Sequence, residues 1–143
     1  MWKPQRFLRN LFVFTFMAMI AFGPIVGIFG TFFAVAVLFY APVAYAASRE
    51  GFLWATRMRR VPDTACVKRA SVVMAEVYLT FMVIVSGVLA ISDTAHRTWL
   101  AQTNLLGILL TFGVLTAIAF PVIRWCYTLG AAWVLEREDN NTG

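Results

Sequence analysis

Within the long apolar stretches of this sequence stands a single acidic side chain, Glu76. It lies seven residues past Arg69, about 10 Å deeper along a helix. An unpaired carboxylate at that depth in a membrane is costly, so it should neutralise, pair or face water. Three readings compete. Glu76 pairs structurally with Arg124, whose own helix face carries Gly113 and Ala117. Or it binds a proton or cation in a transporter. Or it snorkels toward inner headgroups near Lys68 and Arg69. Glu76, Thr80, Val83 and Gly87 fall on one stripe at helical spacing. That small, polar side is expected to face other helices, with Tyr78, Phe81 and Val85 pointing elsewhere.

Other chemistry finds little support. His96 is the only histidine, which rules out bis-histidine haem ligation and disfavours a metal site. With Asp93 it reads as a solvated loop pair. Aspartyl chemistry needs two carboxylates, and no Ser/His/Asp set can form inside the apolar stretches. Cys66 and Cys126 lack metal-site spacing and are expected as free thiols on the reducing side. The expectation is therefore no enzyme, no cofactor and no metal.

The elements that hold Glu76 are membrane helices by composition. Of 143 residues, 61% are hydrophobic and 13% charged, against about 25% charged in a soluble domain. The net charge of +5 marks cytoplasmic loops and contact with anionic lipid; nucleic acid is not an expected partner. From Leu11 to Ser48 there is no charge. That run would reach about 57 Å as one helix, nearly twice the ~30 Å hydrocarbon core. Ala70–Ser92 and Thr103–Ile123 each match one further span. Crossing twice in the first run places every Lys and Arg except Arg97 on one side, as the positive-inside rule prefers. The first apolar stretch far exceeds a signal-peptide core, so cleavage after Ala44-Tyr45-Ala46 is not expected.

The sequence thus predicts an all-α, polytopic membrane bundle with four transmembrane helices near 9–29, 31–48, 70–92 and 103–123. Interfacial or extended helical segments are expected near 49–60 and 124–136. The chain reads as one integral membrane domain over 1–143, with a basic cytoplasmic loop at 49–69 and a short cytoplasmic tail at 137–143. Residues 93–102 read as a short polar outer loop. Asp63 or Thr64 can cap the third span. Both termini are expected in the cytoplasm, and the membrane is expected to be a bacterial inner membrane.

Several residues are candidates for contact. Gly23, Gly27 and Gly30 surround the expected first turn, near Gly27–Thr31, and form a packing or partner face. Gly107, Gly113 and Ala117 offer further points of close approach. Thr15, Thr80, Ser86, Asn104, Thr111 and Thr116 offer interhelical hydrogen bonds. Arg57, Arg59, Arg60, Lys68 and Arg69 form a basic cytoplasmic face, for a partner, for anionic lipid or for topology alone.

The function expected from this pattern is non-enzymatic: helix contacts with membrane partners. The chain is an accessory or assembly subunit of an envelope or secretion complex, or an immunity or exclusion protein. The alternative is a small homo-oligomeric transporter or channel using Glu76. In size and helix count the chain is similar to small multidrug-resistance transporters. That family carries its key carboxylate in the first helix, whereas here the intramembrane carboxylate lies in the third.

Overall fold

The computed structural model describes residues 4–22 and 31–142, with side chains over 4–18, 20 and 39–137. Five helices are described: α1 (Pro4–Phe22), α2 (Thr31–Met58), α3 (Thr64–Ser92), α4 (Thr94–Gln102) and α5 (Leu105–Thr142). No strand occurs among the described residues.

The helix ends follow from local chemistry. α2 stops at Arg59, which takes a left-handed φ of 52° and donates its N–H to Ala55 O at 2.8 Å. Asp63 caps α3, its carboxylate accepting from the Cys66 N–H at 2.7 Å. Asp93 serves two helices. Its N–H donates to Leu89 O at the end of α3, and its carboxylate accepts from the Ala95 and His96 N–H groups at the start of α4. Asn104 Oδ1 accepts from the Gly107 N–H at 2.7 Å and opens α5.

Side-chain pairs set the helix directions. Arg6 meets Glu50, Asn10 meets Arg49 and Phe14 meets Tyr45, so α1 and α2 are antiparallel. Tyr78 Oη donates to Phe39 O at 3.5 Å, while Trp54 shares a groove with Cys66 and Ala70, so α2 and α3 are antiparallel. Phe39 shares a cavity with Phe112, and Phe52 stacks near Trp133 with centroids 5.8 Å apart, so α2 and α5 run parallel. The core lies where the four long helices meet: Phe7 and Leu11, Val43 and Ala47, Met74 and Tyr78, Ile123 and Tyr127 are all essentially buried.

These directions sort the charges. Arg6, Arg9, the basic 49–69 segment, Arg124 and Arg137 gather toward one end of the bundle. Arg97 is at the other end, in α4, donating to Ala90 O and Ile91 O at the end of α3.

Among the described residues, two helices are long and apolar enough to cross a membrane: α3, and α5 over Leu105–Arg137. Other expectations need correction. Residues 93–102 are not a plain loop, because the Asp93 cap turns Thr94–Gln102 into a helix. α2 continues through Met58 and α5 through Thr142, with Pro42 and Pro121 inside them, so the segments near 49–60 and 124–136 take the extended-helix form, one of the two expected for them. The expected turn near Gly27–Thr31 and its Gly23, Gly27 and Gly30 lie outside the described residues, Thr31 excepted. The α3 stripe is reversed. Val67, Ser71, Met74, Tyr78, Phe81 and Met82 are buried, whereas Glu76, Thr80, Val83 and Gly87 are exposed. Aromatic volume, not small polar surface, fills the space against the neighbouring helices.

Candidate functional site

The most polar place inside the bundle is the α1–α2 seam at its basic end. Arg6 Nε donates to Glu50 Oε1 at 2.7 Å, and Arg6 Nη2 donates to Glu50 Oε2 at 2.5 Å. The pairing is bidentate, the geometry that best fits guanidinium to carboxylate. Glu50 is 1% exposed and the Arg6 side chain 18%. The hydrogen bond from Arg6 to Glu50 holds the guanidinium above its ordinary pKa, against the opposing effect of burial. One turn along α1, Arg49 Nη1 donates to Asn10 Oδ1 at 2.9 Å. Asn10 is buried, and its Nδ2 has no acceptor. Phe7 and Leu11, on the same face of α1, seal the seam with Val43, Ala46 and Ala47.

Beside this seam, α2 and α5 touch backbone to backbone. A Cβ on Gly51 would overlap the Tyr127 carbonyl, and a Cβ on Gly130 would overlap the Ser48 carbonyl. The two glycines therefore set the crossing, as small residues do where membrane helices approach closely.

Grooves border this scaffold among the described residues. One, of about 710 Å³, opens between α2 and α5 with Ser48 and Gly130 at the crossing. A second, about 620 Å³, lies between Trp54, Cys66, Arg69 and Tyr127. A third, about 220 Å³, is at the Arg97 end, where His96 Nε2 lies 2.9 Å from Ser86 Oγ.

The candidates read from sequence fall as follows. Glu76 and Arg124 are both exposed, and the one described ion pair is Arg6–Glu50, so the structure does not bring Glu76 and Arg124 together. Their heights explain this. With Cys66 beside Tyr127 and Ser86 beside Thr111 on antiparallel helices, Glu76 stands about one to two turns farther from the basic end than Arg124. None of these grooves includes Glu76. Arg57, Arg59, Arg60, Lys68 and Arg69 are all exposed near the α2–α3 connection. Arg60 also sits 6.0 Å from the Trp54 ring. His96 engages Asp93 through its backbone N–H but sends its ring to Ser86. Cys66 and Cys126 are free thiols, and no group of metal-ligating residues occurs among the described residues.

The hydroxyls expected between helices mostly bond within their own. Thr80 donates to Glu76 O, Thr111 to Gly107 O and Thr116 to Phe112 O, each at 2.8–3.0 Å. A back-bond four residues away needs no neighbouring helix. Gly113 has open space where a Cβ would stand, and Gly107 meets only Thr103 and Asn104.

No protein-family model matches the chain, and neither a curated protein nor a solved structure matches it.

Proposed function

We propose that this chain is a non-enzymatic protein of a bacterial inner membrane, crossing four times with both termini in the cytoplasm and working through helix contacts with membrane partners. The observation that carries this reading is the bare outer half of α5. Leu105, Leu106, Leu109, Leu110, Val114 and Ile118 are all at least half exposed, and Gly113 and Ala117 are exposed between them. Apolar surface around most of the helix suits lipid, with Phe112, Leu115 and Ala119 on the face kept for the bundle. Small residues four apart on that surface also let another helix approach closely. The sorting of basic residues to one end supports the four-span orientation.

The partner is either a stable complex, for an accessory or assembly subunit, or an incoming factor, for an immunity or exclusion protein. A photo-crosslinker at Gly113 in intact cells tests this reading. Adducts to a distinct membrane polypeptide are expected. Adducts to lipid alone overturn it. Adducts between two copies, with proton-coupled uptake lost in Glu76→Gln, favour the small transporter instead. For topology, fluorescent-protein fusions at either terminus are expected to glow. A periplasm-dependent phosphatase is expected to be active when fused after Arg97 and inactive at the termini.

A further inference from the structure

The α2–α5 groove carries two opposite charges that do not pair with each other. Arg49 and Glu136 both line it, yet the ion pair among the described residues is Arg6–Glu50. One Arg49 nitrogen is committed to Asn10, and a guanidinium has five N–H donors. The others are free for an acceptor in the groove. Its volume, about 710 Å³, lies within the range of small-molecule sites. Gly130 has no side chain to fill the floor where it meets Ser48. Tyr45, Phe52 and Trp133 supply aromatic walls.

From this arrangement we infer that the groove binds a zwitterionic phospholipid of the phosphoethanolamine class, its phosphate on Arg49 and its ammonium on Glu136. The inference rests on the membrane-spanning reading of α5. Order along the axis carries it. Tyr45 stands one turn inward from Arg49 on α2. Glu136 lies six residues beyond Gly130, which is level with Ser48. Moving outward from the bilayer, the groove therefore offers the Tyr45 wall, then the cation of Arg49, then Phe52 and Trp133 beside the headgroup path, and last the anion of Glu136. A phosphoethanolamine lipid presents acyl chain, phosphate and ammonium in the same order. A lipid with only a negative headgroup would meet Glu136 as a like charge. A phosphocholine lipid keeps the positive charge but has no N–H to donate to the carboxylate.

The test uses the full chain in vesicles, with tryptophan quenching by phospholipids of identical acyl chains brominated at the carbon next to the ester, the part of the chain nearest to Trp133. The headgroups compared are phosphoethanolamine, phosphocholine and phosphoglycerol. Phosphoethanolamine lipid is expected to quench selectively, associating about three- to tenfold more strongly than the other two, the size of a charge-assisted hydrogen bond at a partly wet site. Trp133→Phe should remove the selective part of the signal. Arg49→Gln should weaken association several-fold. Glu136→Gln changes an exposed side chain and should abolish the preference over phosphoglycerol while leaving folding intact. Equal quenching by all three headgroups overturns the site and leaves the membrane reading standing. So does stronger quenching by phosphoglycerol, or selectivity that survives Trp133→Phe or Glu136→Gln. Absence of quenching by any brominated lipid overturns both.

Discussion

Arg6→Met is expected to destabilise the protein by about 3–5 kcal/mol, the usual cost of removing one partner from a buried ion pair. The reason is what remains. Glu50 is 1% exposed, and Arg6 supplies both of its side-chain hydrogen bonds. Without Arg6 the carboxylate is buried with no counter-charge. Glu50→Leu should cost less, because Arg6 is already 18% exposed and its long stem can carry the guanidinium to water. The double variant Arg6→Met/Glu50→Leu should recover most of the loss, since apolar groups of similar volume can replace a buried pair at little or no cost. Thermal melting of the four proteins in mild detergent measures the order. Wild-type stability in Arg6→Met would show that the pair does not hold α1 in place. Because α1 docks through Phe7, Leu11 and the Phe12–Phe81 edge contact at 4.9 Å, Arg6→Met should also expose α1 to proteases earlier than the rest of the chain.

This pair was hidden in the sequence for a physical reason. A count of positive charges treats residues 49–69 as a basic loop and passes over the acid beside Arg49. What could have exposed it is the fold-back itself. The pairs Arg6–Glu50, Asn10–Arg49 and Phe14–Tyr45 have midpoints at residues 28–30, where the glycine cluster suggests a turn. Matching the two legs about that point aligns Arg6 with Glu50. Other features were legible because they depend on neighbours in sequence. Asp63 precedes the apolar run of α3 and caps it, and the apolar lengths of α3 and α5 follow from hydropathy alone. The facing of α3 was not legible. A stripe of Glu76, Thr80 and Gly87 reads as an inside face when polarity is the guide. Shape decides instead: Tyr78 and Phe81 fill the space between helices, and their exclusion would leave it empty. The same limit applies to glycine. Gly113 and Gly51 look alike in sequence, and only the packed helices show that a Cβ is harmless at one and impossible at the other.

That difference predicts the second large effect. Gly51→Ala and Gly130→Ala should each destabilise the protein by about 3 kcal/mol, at the upper end of overpacking costs. The added methyl meets a backbone carbonyl, of Tyr127 in one case and Ser48 in the other. A flexible side chain could swing aside, but a helical carbonyl moves only with its helix, so α2 and α5 must separate along the whole crossing. Separation also loosens Ala55, Ala131 and Val134, which pack just beyond it. Gly87→Ala is the control. It lies in α3 with nothing within 4 Å of the new methyl, and replacing glycine inside a helix should add roughly 0.5–1 kcal/mol of stability. The double variant Gly51→Ala/Gly130→Ala should cost clearly less than twice a single one. Both methyls need the same separation, and once the helices have moved for the first, the second finds room. Melting temperatures of the three variants and the control decide the matter. Full additivity would mean that the two glycines act at independent places, and losses below about 1 kcal/mol would mean that α2 and α5 do not cross backbone to backbone.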